Sequence, residues 1–235
     1  MLLPTKRRLN AILTLFFPFF IYSQNYYPVR KFVADNYINK TDSLKNIYCA
    51  EKTFISHYEL PTLIALSFYP ELDSTIINLK SRKINKLGYA RPKIDFLLRK
   101  PKNRHYIIII NKNSQDHLGF DFNDIPFNAQ VGFFGHELAH ITDYAAKSNM
   151  QLLLFGFKYL LKQEKVEKYT DRITIRHNLG WQLYDLNRYI TNNPDTYKNY
   201  LKYKESKYLN SEEIFNEMLK INDYQIDTST LINYY

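Results

Sequence analysis

Residues 136–140 read His-Glu-Leu-Ala-His. On an α-helix, positions four apart differ by about 40° around the axis, so His136 and His140 share a face. Two imidazoles on adjacent turns can grip one ion, and imidazole suits zinc. Glu137 is rotated away by about 100°. It is therefore free to act as a base toward a metal-bound water rather than as a ligand. The chemistry such a constellation supports is metal-assisted hydrolysis. The ion lowers the pKa of its water to about 7 and Glu137 carries the proton. A catalytic zinc also needs a third protein ligand and one open position.

The pattern has to sit on a helix, and the local sequence provides one. After Pro126 the chain turns helical, with Asn128 as candidate N-cap and a helix reaching about Lys147. Met150–Leu161 follows as an apolar helix, too short for a bilayer core of about 30 Å. It is expected to pack in the core between the metal-bearing helices, with attachment to a bilayer surface as the alternative. Glu164–Leu179 forms a third helix closed by Gly180, and Trp181–Ile190 a fourth. Asn210 and Glu213 stand at capping-box spacing for a last helix.

Upstream the pattern is mixed. Asp42–Tyr58 has apolar residues at helical spacing and Pro61 is expected to end that helix, leaving Leu63–Tyr69 as a short apolar run. Thr75–Ile84 reads as a strand, Gly88 and Pro92 as turn punctuation, and Lys93–Arg99 as a short strand. His105–Asn111, with four consecutive isoleucines, is the clearest strand; burial on both faces is expected, with an exposed edge as the lesser option. Asn113–Asp124 is polar and reads as a loop. The order predicts an α+β fold: a small mixed β-sheet in the N-terminal half, then a mainly helical half that carries the His-Glu-x-x-His helix and a second ligand helix.

The third ligand narrows the choice of class. The metzincin pattern needs a glycine and a further histidine where this chain has Asp143 and Ala146. Residues 167–171 read Glu-Lys-Tyr-Thr-Asp, with Glu167 and Asp171 on one face of a later helix. With these two motifs the chain resembles the gluzincins, the thermolysin-like zinc metallopeptidases, over about residues 126–180. The resemblance implies that His136, His140 and Glu167 hold the zinc. It makes Glu137 the general base, and it has Asp171 accept the free ring N–H of a ligating histidine. It also implies peptide or protein substrates and a cleft between the sheet-containing and helical halves. Asp143, about 20° from His136 on the same helix, and Glu164 compete for the third position. Tyr144, Tyr169 and His177 are candidates for stabilising the oxyanion; no spacing selects among them. His105 and His117 are expected at the surface or in loops.

The rest of the composition bounds the context. Lys6, Arg7 and Arg8 precede the apolar Leu9–Tyr22 run, which reads as a signal peptide over residues 1–24 of an exported chain. An uncleaved membrane anchor is the alternative. Residues 25–235 are then expected to form one catalytic domain. The net charge of +9 is spread along the chain without a zinc-finger or RNA-recognition signature, so a solvated basic surface is preferred to a nucleic-acid site. Six glycines and no phosphate-loop pattern argue against nucleotide binding. The one cysteine, Cys49, cannot form an intrachain disulfide and is expected to be buried and inert. A non-enzymatic binding protein with a structural zinc would show the same ligands, but has no use for Glu137.

Overall fold

The computed structural model describes residues 27–224; residues 1–24, expected from the sequence to be a signal peptide, lie outside them. The chain runs through α1 (Asp35–Ile38), α2 (Thr41–Tyr48), β1 (Lys52–Thr53), α3 (Glu59–Leu66), β2 (Ile76–Arg82), β3 (Gly88–Pro92) and β4 (His105–Asn111). It continues through α4 (Ser114–Leu118), α5 (Phe127–Ala145), α6 (Asn149–Leu161), α7 (Gln163–Thr174), α8 (Gly180–Asn192), α9 (Lys198–Lys207) and α10 (Ser211–Leu219). A four-stranded mixed sheet in order β1-β2-β4-β3 is followed by a mainly helical half, which is the α+β arrangement expected.

β4 is an interior strand of that sheet, as is β2. It pairs in parallel with β2, Ile76 opposite His105, and antiparallel with β3, Gly88 opposite Ile110. Its isoleucines are buried because neighbours cover both faces. It therefore offers no free edge; β3, where a turn was expected, is one of the two edge strands. Gly88 opens β3 because a Cβ there would meet the Phe133 ring at 2.4 Å, so only glycine lets the strand lie against α5. The expected strand at Lys93–Arg99 is instead a 3-10 turn over Ile94–Leu98, outside the sheet ladder.

Several helix boundaries differ from expectation for local reasons. Pro61 lies within α3 rather than ending a helix, since a first-turn residue needs no intrahelical N–H partner. The polar 113–124 stretch contains α4 and a 3-10 turn capped by Asp121. α5 begins after Pro126, and Asn128 lies inside it, buried. Its carboxamide oxygen accepts from the Phe32 N–H at 2.7 Å, and its NH2 donates to Asp185 at 2.6 Å. The break after α7 occurs at Asn178, whose φ is +62°, a conformation asparagine tolerates. Gly180 starts α8 instead of closing α7. Asn210 and Glu213 do form the capping box of α10. Cys49 is only partly buried.

α5 is the central element, buried along nearly its whole length between the sheet and α7–α8. Its two ends are pinned. At the C-terminus the buried Arg104 guanidinium donates to the Tyr144 carbonyl at 3.1 Å and the Lys147 carbonyl at 2.7 Å, satisfying carbonyls left open at a helix end. Toward the N-terminus, Gly132 touches α8 so closely that a Cβ would meet the Gln182 carbonyl oxygen at 2.3 Å. Alanine in an unhindered helix interior would gain about 1 kcal/mol over glycine. Here the backbone of α8 must move, so Gly132→Ala is expected to lose about 1–3 kcal/mol net of that gain. A urea denaturation midpoint that rises in the variant would refute this packing.

Candidate metal centre

Three elements converge on one point. α5 supplies His136 and His140, α7 supplies Glu167, and β3 forms the facing wall. The Nε2 atoms of His136 and His140 lie 3.2 and 3.1 Å from the same Glu167 oxygen, Oε2. All three side chains are buried, and they form a group able to hold a metal ion. The position of the histidines is set from behind: the Tyr69 hydroxyl donates to the Gly135 carbonyl, one residue before His136, at 2.7 Å.

Hydrogen-bond partners assign the imidazole tautomers. His136 Nδ1 lies 2.8 Å from Asp171 Oδ1, an acceptor, so Nδ1 carries the proton. Asp171 is itself held, its Oδ2 accepting the Leu209 N–H at 2.9 Å. Thr170 sits 3.2 Å from His140 Nδ1 and donates its only hydroxyl proton to the Val166 carbonyl. The threonine oxygen must then accept from His140 Nδ1–H. In neutral rings both Nε2 atoms are left as lone pairs facing a carboxylate oxygen. Three acceptors at hydrogen-bond distance repel one another unless a cation stands among them.

The electrostatics carry the same message. Burial works against charge on His136, but its hydrogen bonds to Asp171 and Glu167 outweigh burial and hold its pKa up to about 10. Burial likewise opposes ionisation of Glu167, yet His140 and His136 hold its carboxyl well below the usual range. In the metal-free protein a proton is thus the resident cation, and a metal ion must displace it. Cation uptake at pH 8 is expected to expel about one proton, and affinity should rise with pH up to about 10. Calorimetric titration in buffers of differing ionisation enthalpy measures this. A binding heat independent of buffer would contradict it.

No family model matches this chain, and no curated protein or solved structure does so either.

The remaining site residues separate cleanly. Glu137 is buried beside the cluster; its Oε2 has no hydrogen-bond partner among the described residues. Burial raises its pKa. Tyr144 lies against His140 with ring centroids 5.8 Å apart and lines the cleft. Tyr169 is exposed on α7 and does not line it. His177 faces elsewhere: Nε2 bonds Glu71 at 2.9 Å and the ring stacks on Tyr69 at 4.2 Å. The rivals for the third position are also elsewhere. Asp143 is bonded to Lys147, and the exposed Glu164 pairs with Lys168 at 3.5 Å. His117 is exposed and His105 partly so.

Two contributors carry no sequence signal. Tyr159, from α6, donates its hydroxyl to Glu167 Oε1 at 2.6 Å, leaving Oε2 for the cluster. Tyr208, between α9 and α10, packs against His136 with ring centroids 5.6 Å apart and is covered by Lys204, whose Nζ lies 4.0 Å from the Tyr208 ring. Both are tyrosines in a chain with 21 of them, and contact alone distinguishes them. The cleft they share with the cluster has a volume of about 380 Å³. A larger hollow of about 750 Å³ lies between residues 30–35 and α8, away from the metal cluster.

Proposed function

We propose that this chain is a zinc-dependent peptidase of the gluzincin type, acting on peptide or protein substrates outside the cytoplasm after loss of residues 1–24. The observation that carries this reading is the Glu137 Oε2, buried without a hydrogen-bond partner among the described residues, beside three converging ligand atoms. A buried polar atom left without a partner costs about 1–3 kcal/mol, more when charged. A purely structural metal site would gain nothing from it. The donor set of two imidazoles and one carboxylate suits zinc with an open position.

His136, His140 and Glu167 would hold the ion, which when bound supplies Lewis acidity toward water and the scissile carbonyl. Glu137 takes a proton from the attacking water and returns it to the leaving amine. Its raised pKa makes it a stronger base than a solvated glutamate. Tyr144 and Tyr208 line the same cleft, and burial pushes both phenols up, so they remain protonated donors for a developing oxyanion. The open edge of β3 borders the cleft from Gly88 to Pro92, which supports extended binding of a peptide by backbone pairing.

The test is metal-dependent hydrolysis. The purified protein is expected to contain about one zinc per chain by elemental analysis. Chelation should abolish cleavage of an unfolded protein substrate, and stoichiometric zinc should restore it. A protein that binds the ion but cleaves no peptide from a diverse library would sink the enzymatic reading.

A further inference from the structure

α6 is apolar on opposite faces. Leu152, Phe155 and Tyr159 point to the core and the cleft. Met150, Leu154, Phe157 and Leu161 recur on the other side at helical spacing and are exposed, from 59% at Leu154 to 82% at Leu161. The expectation that this helix packs in the core therefore holds for one face only. The 3-10 turn held beside α6 adds two more exposed apolar side chains: Ile94 and Leu98 are 90% and 91% exposed. The Asn149 amide fixes that turn against α6, donating to the carbonyls of Leu97 and Arg99 at 3.1 and 3.0 Å. Exposed apolar side chains gathered in this way mark an interaction site.

The rim of the patch identifies the partner. Lys158 and Lys162 lie about 80–120° from Met150 around the helix, at the border of the stripe. Lys100 and Lys102 follow the Ile94–Leu98 turn, and all four lysines are exposed. The nearby acids are engaged, Asp95 with Arg99 and Glu164 with Lys168. An apolar stripe bordered by lysines matches an interfacial helix, with aliphatic stems in the acyl boundary and ammonium groups at anionic headgroups. A second copy of this face would bring its own lysines against these. No described helix is long and apolar enough to cross a membrane, so α6 would lie in the surface plane. The described chain starts near Asn128, at the end of α5 away from α6.

We propose that the outward face of α6, with the Ile94–Leu98 turn, docks this protein on an anionic lipid surface. Because Leu153 and Gly156 of α6 also line the cleft, docking places the cleft mouth beside the bilayer. The docking does not depend on the metal reading.

The test uses the full chain in a Cys49→Ser background with an environment-sensitive fluorophore on Leu160→Cys, and in a second protein on Ile47→Cys. Both positions are exposed, at 80% and 60%, and both proteins are checked for the parent thermal midpoint. Vesicles containing phosphatidylglycerol should blue-shift the label at 160 and leave the label at 47 unchanged. Lys158→Glu with Lys162→Glu should raise the lipid needed at least about tenfold. The proposal is overturned by no shift at 160, or by equal shifts at both positions. It is equally overturned if phosphatidylcholine alone gives the shift, or if the lysine reversals leave the lipid requirement unchanged. A blue emission before lipid is added also overturns it. If that emission varies with protein concentration, a second copy covers the face; if it is constant, the chain's own undescribed residues do.

Discussion

Glu137→Gln is expected to keep the bound metal and lose about 10²–10⁴-fold in turnover. The amide has nearly the volume of the carboxylate, so packing around residue 137 is preserved. It cannot accept and carry a proton, so only base catalysis is removed. Stability should, if anything, increase. The wild-type side chain is a buried carboxylate whose pKa burial has raised and whose Oε2 lacks a partner, whereas a neutral amide is cheaper to bury. The informative result is therefore a triple one: unchanged metal content, an unchanged or higher melting temperature, and collapsed hydrolysis. Equal hydrolysis by both proteins would show that Glu137 is not the base.

Glu167→Gln is expected to act on the metal itself. Among the described residues Glu167 Oε2 is the only carboxylate oxygen facing both imidazole Nε2 atoms, and its ionised state is enforced by them. Replacing it removes a ligand and leaves two imidazoles to hold the ion. The loss of affinity should exceed the roughly 10–100-fold expected for Asp171→Asn, which disturbs the orientation of His136 and the bond to the Leu209 N–H but removes no ligand. Competition titration with a zinc-sensitive chelating dye measures both variants against the parent. If Asp171→Asn proves the more damaging, Glu167 is not a ligand and the site must be drawn differently. Hydrolysis should follow metal occupancy in these two proteins, in contrast to Glu137→Gln.

The local readings that succeeded share one property: the information lies within a few consecutive residues. Helical spacing places His136 beside His140 and Glu167 near Asp171 whatever else the chain does, because backbone hydrogen bonding sets the angular step. The isoleucine run forms β4, and Asn210 with Glu213 forms a cap, for equally local reasons. The α+β class follows from the order of such segments. Where a residue could satisfy its polar groups in two ways, distant partners decided. Asn128 was equipped to cap α5 but lies inside it, held by Phe32 and Asp185 from far along the chain.

What the sequence determined by itself was the pair of helical faces and the residue types on them. Only the tertiary structure decided that these faces meet, that Tyr159 and Thr170 complete the hydrogen bonding of the ligands, and that Glu137 Oε2 finds no partner among the described residues. It also decided that β3 is an edge strand and β4 is not, and that α6 turns one apolar face outward. The reason is physical: helical periodicity is enforced by contacts three and four residues apart, whereas convergence of α5, α7 and β3 depends on long-range packing. That packing rests on such features as Gly132 against α8, Gly88 against Phe133, and the Arg104 clamp on the end of α5.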